Sequence, residues 1–233
     1  MRKNNRNYLA LCAFGILACL GCTAGAAAIF TENFNSYAGT VNATQYQTGL
    51  SVAYGGNVVG WSNLGDSTMH AVDLSGSGNW AIMLWQNNVI TQTVGIAAND
   101  SGSSYEVNFD YGTAVYADAR ERTQATDALL VELLRTNDTV LASQSFFPGA
   151  WDTVGNQNLD GGLRGTLPYV GDGTGDLRLR IGPAPATFNQ GRFAGEIDNL
   201  SVSLIPEPST FALLVLAVVG LGAQWWRRGR KVA

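Results

Sequence analysis

The sequence predicts an all-β protein whose body is an antiparallel β-sandwich, and three observations carry that prediction. Apolar runs of four to nine residues recur between clusters of Gly, Asn, Asp and Ser, as short strands joined by turns require. The chain holds 28 glycines in 233 residues, which suits many tight connections better than long helices. In Leu177-Arg178-Leu179-Arg180-Ile181 the apolar side chains fall on one face and the arginines on the other. That period of two marks a strand buried on one side only, the signature of an antiparallel sheet.

Strands are expected near 29–34, 69–74, 80–85, 89–94, 105–112, 128–135, 139–147, 177–181 and 193–204. The strands 128–135 and 139–147 meet at Asn137-Asp138, residue types that tolerate the positive φ of a hairpin turn. Residues 116–127 are polar and read as a loop or short helix, and 151–175 lack periodicity and read as long loops.

The two ends differ from this body. Arg2, Lys3 and Arg6 precede an uncharged apolar run from Leu9 to Leu20, and small residues crowd from Gly21 to Ala28. That is the layout of a signal peptide over 1–28, cut after Ala28 in preference to Ala26, and it predicts export and a signal peptidase as partner. All three cysteines, Cys12, Cys19 and Cys22, lie within this leader. The exported body therefore has no disulfide to secure it. At the other end Pro206-Glu207-Pro208 precedes an apolar stretch that predicts one transmembrane helix over 210–226. A basic tail, 227–233, follows with Arg227, Arg228, Arg230 and Lys231. Cationic flanks stay on the cytoplasmic side, so the tail is expected inside and the body outside the inner membrane.

Motif, helix and Arg cluster, in that order at the C-terminus, resemble the PEP-CTERM sorting signal of Gram-negative bacteria. The resemblance covers 205–233. It implies recognition by exosortase, a transpeptidase-like membrane enzyme, and a transient membrane anchor through the C-terminal helix. Delivery to the cell surface or the extracellular matrix of an exopolysaccharide-producing cell follows from it.

The body, 29–204, is the size of one domain. Half of the 14 Lys and Arg lie in the leader and tail, and no lysine remains between them, whereas every acidic residue except Glu207 lies in the body. The body is thus far more acidic than the whole-chain charge of -4. Such a surface repels phosphate backbones, which excludes nucleic acid as an expected partner.

Glu32-Asn33-Phe34, Ile90-Thr91-Gln92-Thr93-Val94, Val107-Asn108-Phe109-Asp110-Tyr111 and Glu196-Ile197-Asp198-Asn199-Leu200-Ser201-Val202 resemble segments of the galactose-binding-like jelly rolls found in carbohydrate-binding modules. The resemblance implies that the first and last strands lie together and hold a structural calcium. Glu32 lies between Phe30 and Phe34, and Asp198 shares parity with Leu200, Val202 and Leu204, so both carboxylates are expected on the core side. A buried carboxylate needs a partner or a cation, and Glu32 and Asp198 are the candidate calcium ligands. The competing expectation is exposed carboxylates at strand ends.

No catalytic residues are assigned. Glu196-Ile197-Asp198 resembles the start of the Glu-x-Asp-x-x-Glu signature of retaining β-glucanases, but Ser201 stands where the second Glu belongs, so the two-carboxylate requirement fails. His70, the one histidine, lies among apolar neighbours with no Gly-x-Ser-x-Gly elsewhere, and reads as a strand-surface residue. For carbohydrate binding, Trp61, Trp151, Tyr116 and Tyr169 near predicted turns are the candidate stacking platforms. Trp80 and Trp85 have opposite parity, so one is expected in the core and the other facing outward or lying at a strand end. The expected function is a non-enzymatic surface or matrix protein that binds exopolysaccharide. The alternatives are a glycan-processing enzyme and a purely structural adhesion component.

Overall fold

A computed structural model of the chain describes residues 28–37, 40–42, 51–64, 69–73, 78–85, 87–95, 99–113, 123–150, 163–187, 190–205 and 218–222. One compact unit spans Ala28–Leu204, and a second comprises Met1–Ala27 with Ile205–Ala233. The signal peptide, Pro206-Glu207-Pro208 and the basic tail fall outside the described residues, apart from Ala28, which opens the first strand. Of the expected transmembrane helix only 218–222 are described, and they are helical. No helix among the described residues is long and apolar enough to cross a membrane.

The unit Ala28–Leu204 is all-β. Its strands in chain order are β1 (Ala28–Glu32), β2 (Thr40–Asn42), β3 (Ser51–Gly56), β4 (Ser62–Leu64), β5 (Met69–Asp73), β6 (Trp80–Trp85), β7 (Val89–Val94), β8 (Ser104–Gly112), β9 (Leu129–Arg135), β10 (Val140–Phe146), β11 (Leu163–Val170), β12 (Leu177–Pro183) and β13 (Phe193–Leu204). An eight-stranded sheet runs β11-β8-β13-β6-β5-β3-β2, with β1 added on β13, and a five-stranded sheet runs β10-β9-β12-β7-β4. Every pairing is antiparallel.

Alternation assigns the faces. On β8, Tyr105, Val107, Phe109 and Tyr111 are buried, while Glu106, Asn108 and Asp110 between them are half-buried. On β12, Leu177, Leu179 and Ile181 are fully buried and belong with the β8 residues to one hydrophobic cluster between the sheets. Burying each such side chain contributes about 1.5–3 kcal/mol, and this shared core makes the two sheets a sandwich. The β9–β10 hairpin forms around the expected turn, with Asp138 at φ 66 and its N–H donating to the Arg135 carbonyl at 3.0 Å.

Two expectations about strand placement fail in this unit. Residues 163–170, expected within a loop, form β11, whose inward positions are Gly165, Leu167 and Tyr169. Gly165 hides the apolar alternation because the ring of Phe109 fills the place of its side chain. Pro168 argues against a central strand, but β11 is the edge of its sheet, where a missing N–H costs no ladder bond. The short strands β2, β3 and β4 also went unmarked by any long apolar run.

Candidate functional site

The chemistry gathers at two places: where β13 changes partners, and on the outer face of the five-stranded sheet. β13 pairs with β6 through Ile197 and with β1 from Leu200 onward. Its register with β8 slips between Asp198 and Ser201, and Asn199 there adopts φ 49. This bulge turns the strand over. Ile197 before it and Leu200 after it both enter the core. Asp198 pairs with Asp110, an outward residue of β8, so it lies on the face away from the core. The expectation that Asp198 shares the core side with Leu200 and Val202 is therefore corrected, the cause being the residue inserted at the bulge.

Asp198 is nonetheless 1% exposed, and Glu196 on the same face is 2% exposed. Asp198 Oδ1 accepts from the Asn199 N–H at 2.7 Å, whereas Asp198 Oδ2 and Glu196 Oε1 have no hydrogen-bond partner among the described residues. Burial pushes Asp198 up to about 6, the Asn199 N–H pulls against that, and Asp110 and Glu32 add repulsion. Burial and the neighbouring Asp198 hold Glu196 well above the ordinary carboxylate range. Asp110 is compensated, since Asn199 Nδ2 donates to it at 3.0 Å and Arg164 Nε at 3.3 Å. With both Glu196 and Asp198 enclosed, the fragment that resembles a glucanase signature is closed to substrate.

Glu32 sits across the junction, paired with Leu200. Its Oε1 accepts from the Phe34 N–H at 2.7 Å and its Oε2 from Trp61 Nε1 at 3.1 Å. Its strand partner Leu200 enters the core whereas Asp110, the partner of Asp198, faces outward, yet across the bulge the two carboxylates lie near enough for Glu32 to repel Asp198. Glu32 lines a cleft of about 290 Å³ with Thr31, Asn33, Asn199, Leu200 and Ser201, and Asp198 is not among its lining. No group of three or more His, Cys, Asp or Glu side chains among the described residues is disposed to hold a metal ion. The oxygen donors of Glu32 and Asp198 suit a hard cation in kind.

The aromatic candidates fare differently. Trp61 is 3% exposed, its ring 5.4 Å from that of Phe34 and its N–H committed to Glu32, so it is a core residue with no free stacking face. Tyr169 is 6% exposed and stacks on Tyr105 at 5.2 Å and 16°. Both are corrected as platforms: a turn-proximal aromatic in a sandwich closes the end of the core. Trp151 and Tyr116 lie outside the described residues. Trp80 is buried and Trp85 half-exposed, as their opposite parity predicts, with Trp85 packed on Phe193 at 4.8 Å.

Sequence reasoning missed the second place. Leu130, Gly182, Val89 and Leu64 lie side by side across β9, β12, β7 and β4 and floor an open groove of about 490 Å³. The groove faces away from the core, because its β9 and β12 residues alternate with Leu129, Val131, Leu179 and Ile181. On one flank Arg180 Nε donates to Glu132 Oε2 at 2.6 Å, and Asn87 and Pro185 also line it. The Arg178/Arg180 alternation was the available signal that this face holds polar groups. The partners from β9 and β4 could not be read from one strand.

The chain matches no protein-family profile and no curated protein. Among solved structures it is similar to carbohydrate-binding modules. The CBM22-1–GH10 modules of the Clostridium thermocellum endo-1,4-β-D-xylanase 10B, complexed with xylohexaose, match at 14% identity and a TM-score of 0.41, covering 77% of this chain and 29% of that one. The CBM22-1 xylan-binding domain of a Paenibacillus barcinonensis protein matches at 11% identity and 0.36, covering 78% and 97%. TmCBM61 in complex with β-1,4-galactotriose matches at 11% identity and 0.33, covering 76% and 92%.

Proposed function

We propose that the protein is an exported, non-enzymatic surface or matrix component whose jelly-roll body binds a polysaccharide. The observation that carries this reading is the groove on the five-stranded sheet. Its volume of about 490 Å³ is that of a ligand site. Its floor is a flat apolar strip at Gly182, Val89 and Leu130, the kind of surface that meets the apolar face of a sugar ring. The Glu132–Arg180 pair and Asn87 supply donors and acceptors beside it. The strip crosses four strands, about 14 Å at a spacing of 4.8 Å, so it favours an extended chain over a single sugar.

Delivery is read from the chain ends. The signal peptide and the PEP-CTERM-like tail send the body through the inner membrane, with exosortase acting on the tail. Calcium is proposed at the β1–β13 junction, with Asp198 and Glu32 contributing and main-chain carbonyls and water completing the shell.

The test of the binding reading is affinity electrophoresis of the full chain in gels holding soluble neutral β-glucan, xylan or galactan. Retention by one of these polymers is expected, with Leu64→Asp and Asn87→Ala each weakening it about tenfold, equivalent to about 1.4 kcal/mol. Retention by none of them overturns the reading. Release of reducing sugar from any of them overturns its non-enzymatic part.

A further inference from the structure

A second polar surface lies on the opposite side of the sandwich. Thr31 of β1 pairs with Ser201 of β13, Ser201 with Asn108 of β8, and Asn108 with Thr166 of β11. Residues paired directly across strands share a face. These four therefore form one row of hydroxyl and amide groups across four adjacent strands. Asn108 is flanked by the core residues Val107 and Phe109, and Ser201 by Leu200 and Val202, so the row points away from the core. Thr31 and Thr166 are exposed, and Ser201 and Asn108 are half-buried.

The row is organised internally and open at its far end. Thr166 Oγ1 donates to Asn108 Oδ1 at 2.8 Å, and Asn108 Nδ2 donates to Glu106 Oε1 at 2.8 Å, which fixes the orientation of the amide. The hydroxyls of Thr31 and Ser201 bond to no described residue, and both line the cleft of about 290 Å³ beside the β13 bulge. At about 4.8 Å per strand the row is as long as the groove floor on the other sheet. Its neighbouring acidic side chains are Glu106, and Asp110 paired with the largely exposed Arg164. In a body without lysine this surplus of carboxylate disfavours polyanions.

We infer that the Thr31–Ser201–Asn108–Thr166 row is a second glycan-binding surface for neutral, polyhydroxylated chains, and that with the groove on the opposite sheet it lets one body bridge two polysaccharide strands. The inference rests on the glycan-binding reading above and adds valency to it. Two sites on opposite faces cannot readily serve one strand, so their joint effect is cross-linking.

The experiment combines site counting by equilibrium titration with bridging of polysaccharide-coated beads, using the full chain and the neutral polymer that retains it. The variants are Leu64→Asp in the groove, the pair Thr31→Val with Thr166→Val in the row, and all three together. Thr→Val keeps shape and strand preference while removing the hydroxyl, and circular dichroism confirms that each variant is folded. The expected result is two sites and bead bridging for the unaltered chain. Each single-face variant should keep one site and lose bridging, and the combined variant should keep none. If Leu64→Asp alone abolishes all binding, or the Thr→Val pair still bridges beads with two sites, the second surface is overturned while the groove stands. Absence of binding by the unaltered chain overturns both, and alginate in place of the neutral polymer should give neither binding nor bridging.

Discussion

Trp61 illustrates how one polar atom decides the place of a large side chain. Its ring lies in the core against Phe34, and its N–H, which would otherwise be buried without an acceptor, reaches Glu32 Oε2 at 3.1 Å. The same carboxylate accepts the Phe34 N–H, at a residue whose φ of 54 carries the chain sharply out of β1. Glu32 therefore joins the end of the first strand to the loop before β4. Trp61→Phe keeps most of the ring and removes the donor, so it should lower stability by about 1.5–3 kcal/mol, the net value of a hydrogen bond to a carboxylate. Urea unfolding measures this. An unchanged midpoint would show that the indole N–H contributes nothing beyond packing.

At the scale of elements, β12 carries both the core and the groove, and Gly182 is where the two demands meet. A Cβ there would lie 2.8 Å from Val89 Cγ2 and 3.3 Å from the Asn88 carbonyl oxygen. Gly182→Ala should force β7 and β12 apart, at a cost of about 1–3 kcal/mol for overpacking, and should raise the groove floor. A drop in melting temperature together with weaker retention on polysaccharide is expected, and a variant as stable as the parent would sink this account of the glycine. The alternation of β12 was legible from Leu177 to Ile181 because one face is core and the other is not. The hairpin at Asn137-Asp138 was legible because turn chemistry is local. β11 was not, since Gly165 and Pro168 suit an edge strand only once the sheet order is known. Nor was the true face of Asp198, because one residue of bulge reverses every parity argument beyond it, and Asn199 was the sole local hint. The groove was illegible for a third reason: its four strands become neighbours only through long-range pairing.

For the whole molecule, the first strand of the body lies on the last, and the junction is where unpaired acid collects. The sign of its pH dependence follows from the direction of each shift. Asp198 rises from 3.8 to about 6, and Glu196 is raised well above its ordinary value. A group whose pKa is higher in the folded state favours folding most when protonated in both states, so this contribution is full in acid and is lost as pH rises through about 6. Asp172 behaves oppositely, lowered first by the Thr174 hydroxyl and also by Arg135 and Asn99, so its contribution is lost only in stronger acid, below the window in which Asp198 titrates. In the presence of a chelator the protein should therefore be more stable near pH ~4.5 than near pH ~7.5. Asp198→Asn should flatten the difference, because its amide does not ionise. Calcium should remove the deficit at the higher pH in the parent and do less in Asp198→Asn, since a cation stabilises only the ionised form. Melting curves at the two pH values, with chelator and with calcium, give all of these comparisons. A parent profile already flat in chelator would mean that the buried carboxylates are compensated without a cation, and it would remove the reason for placing calcium at the junction of β1 and β13.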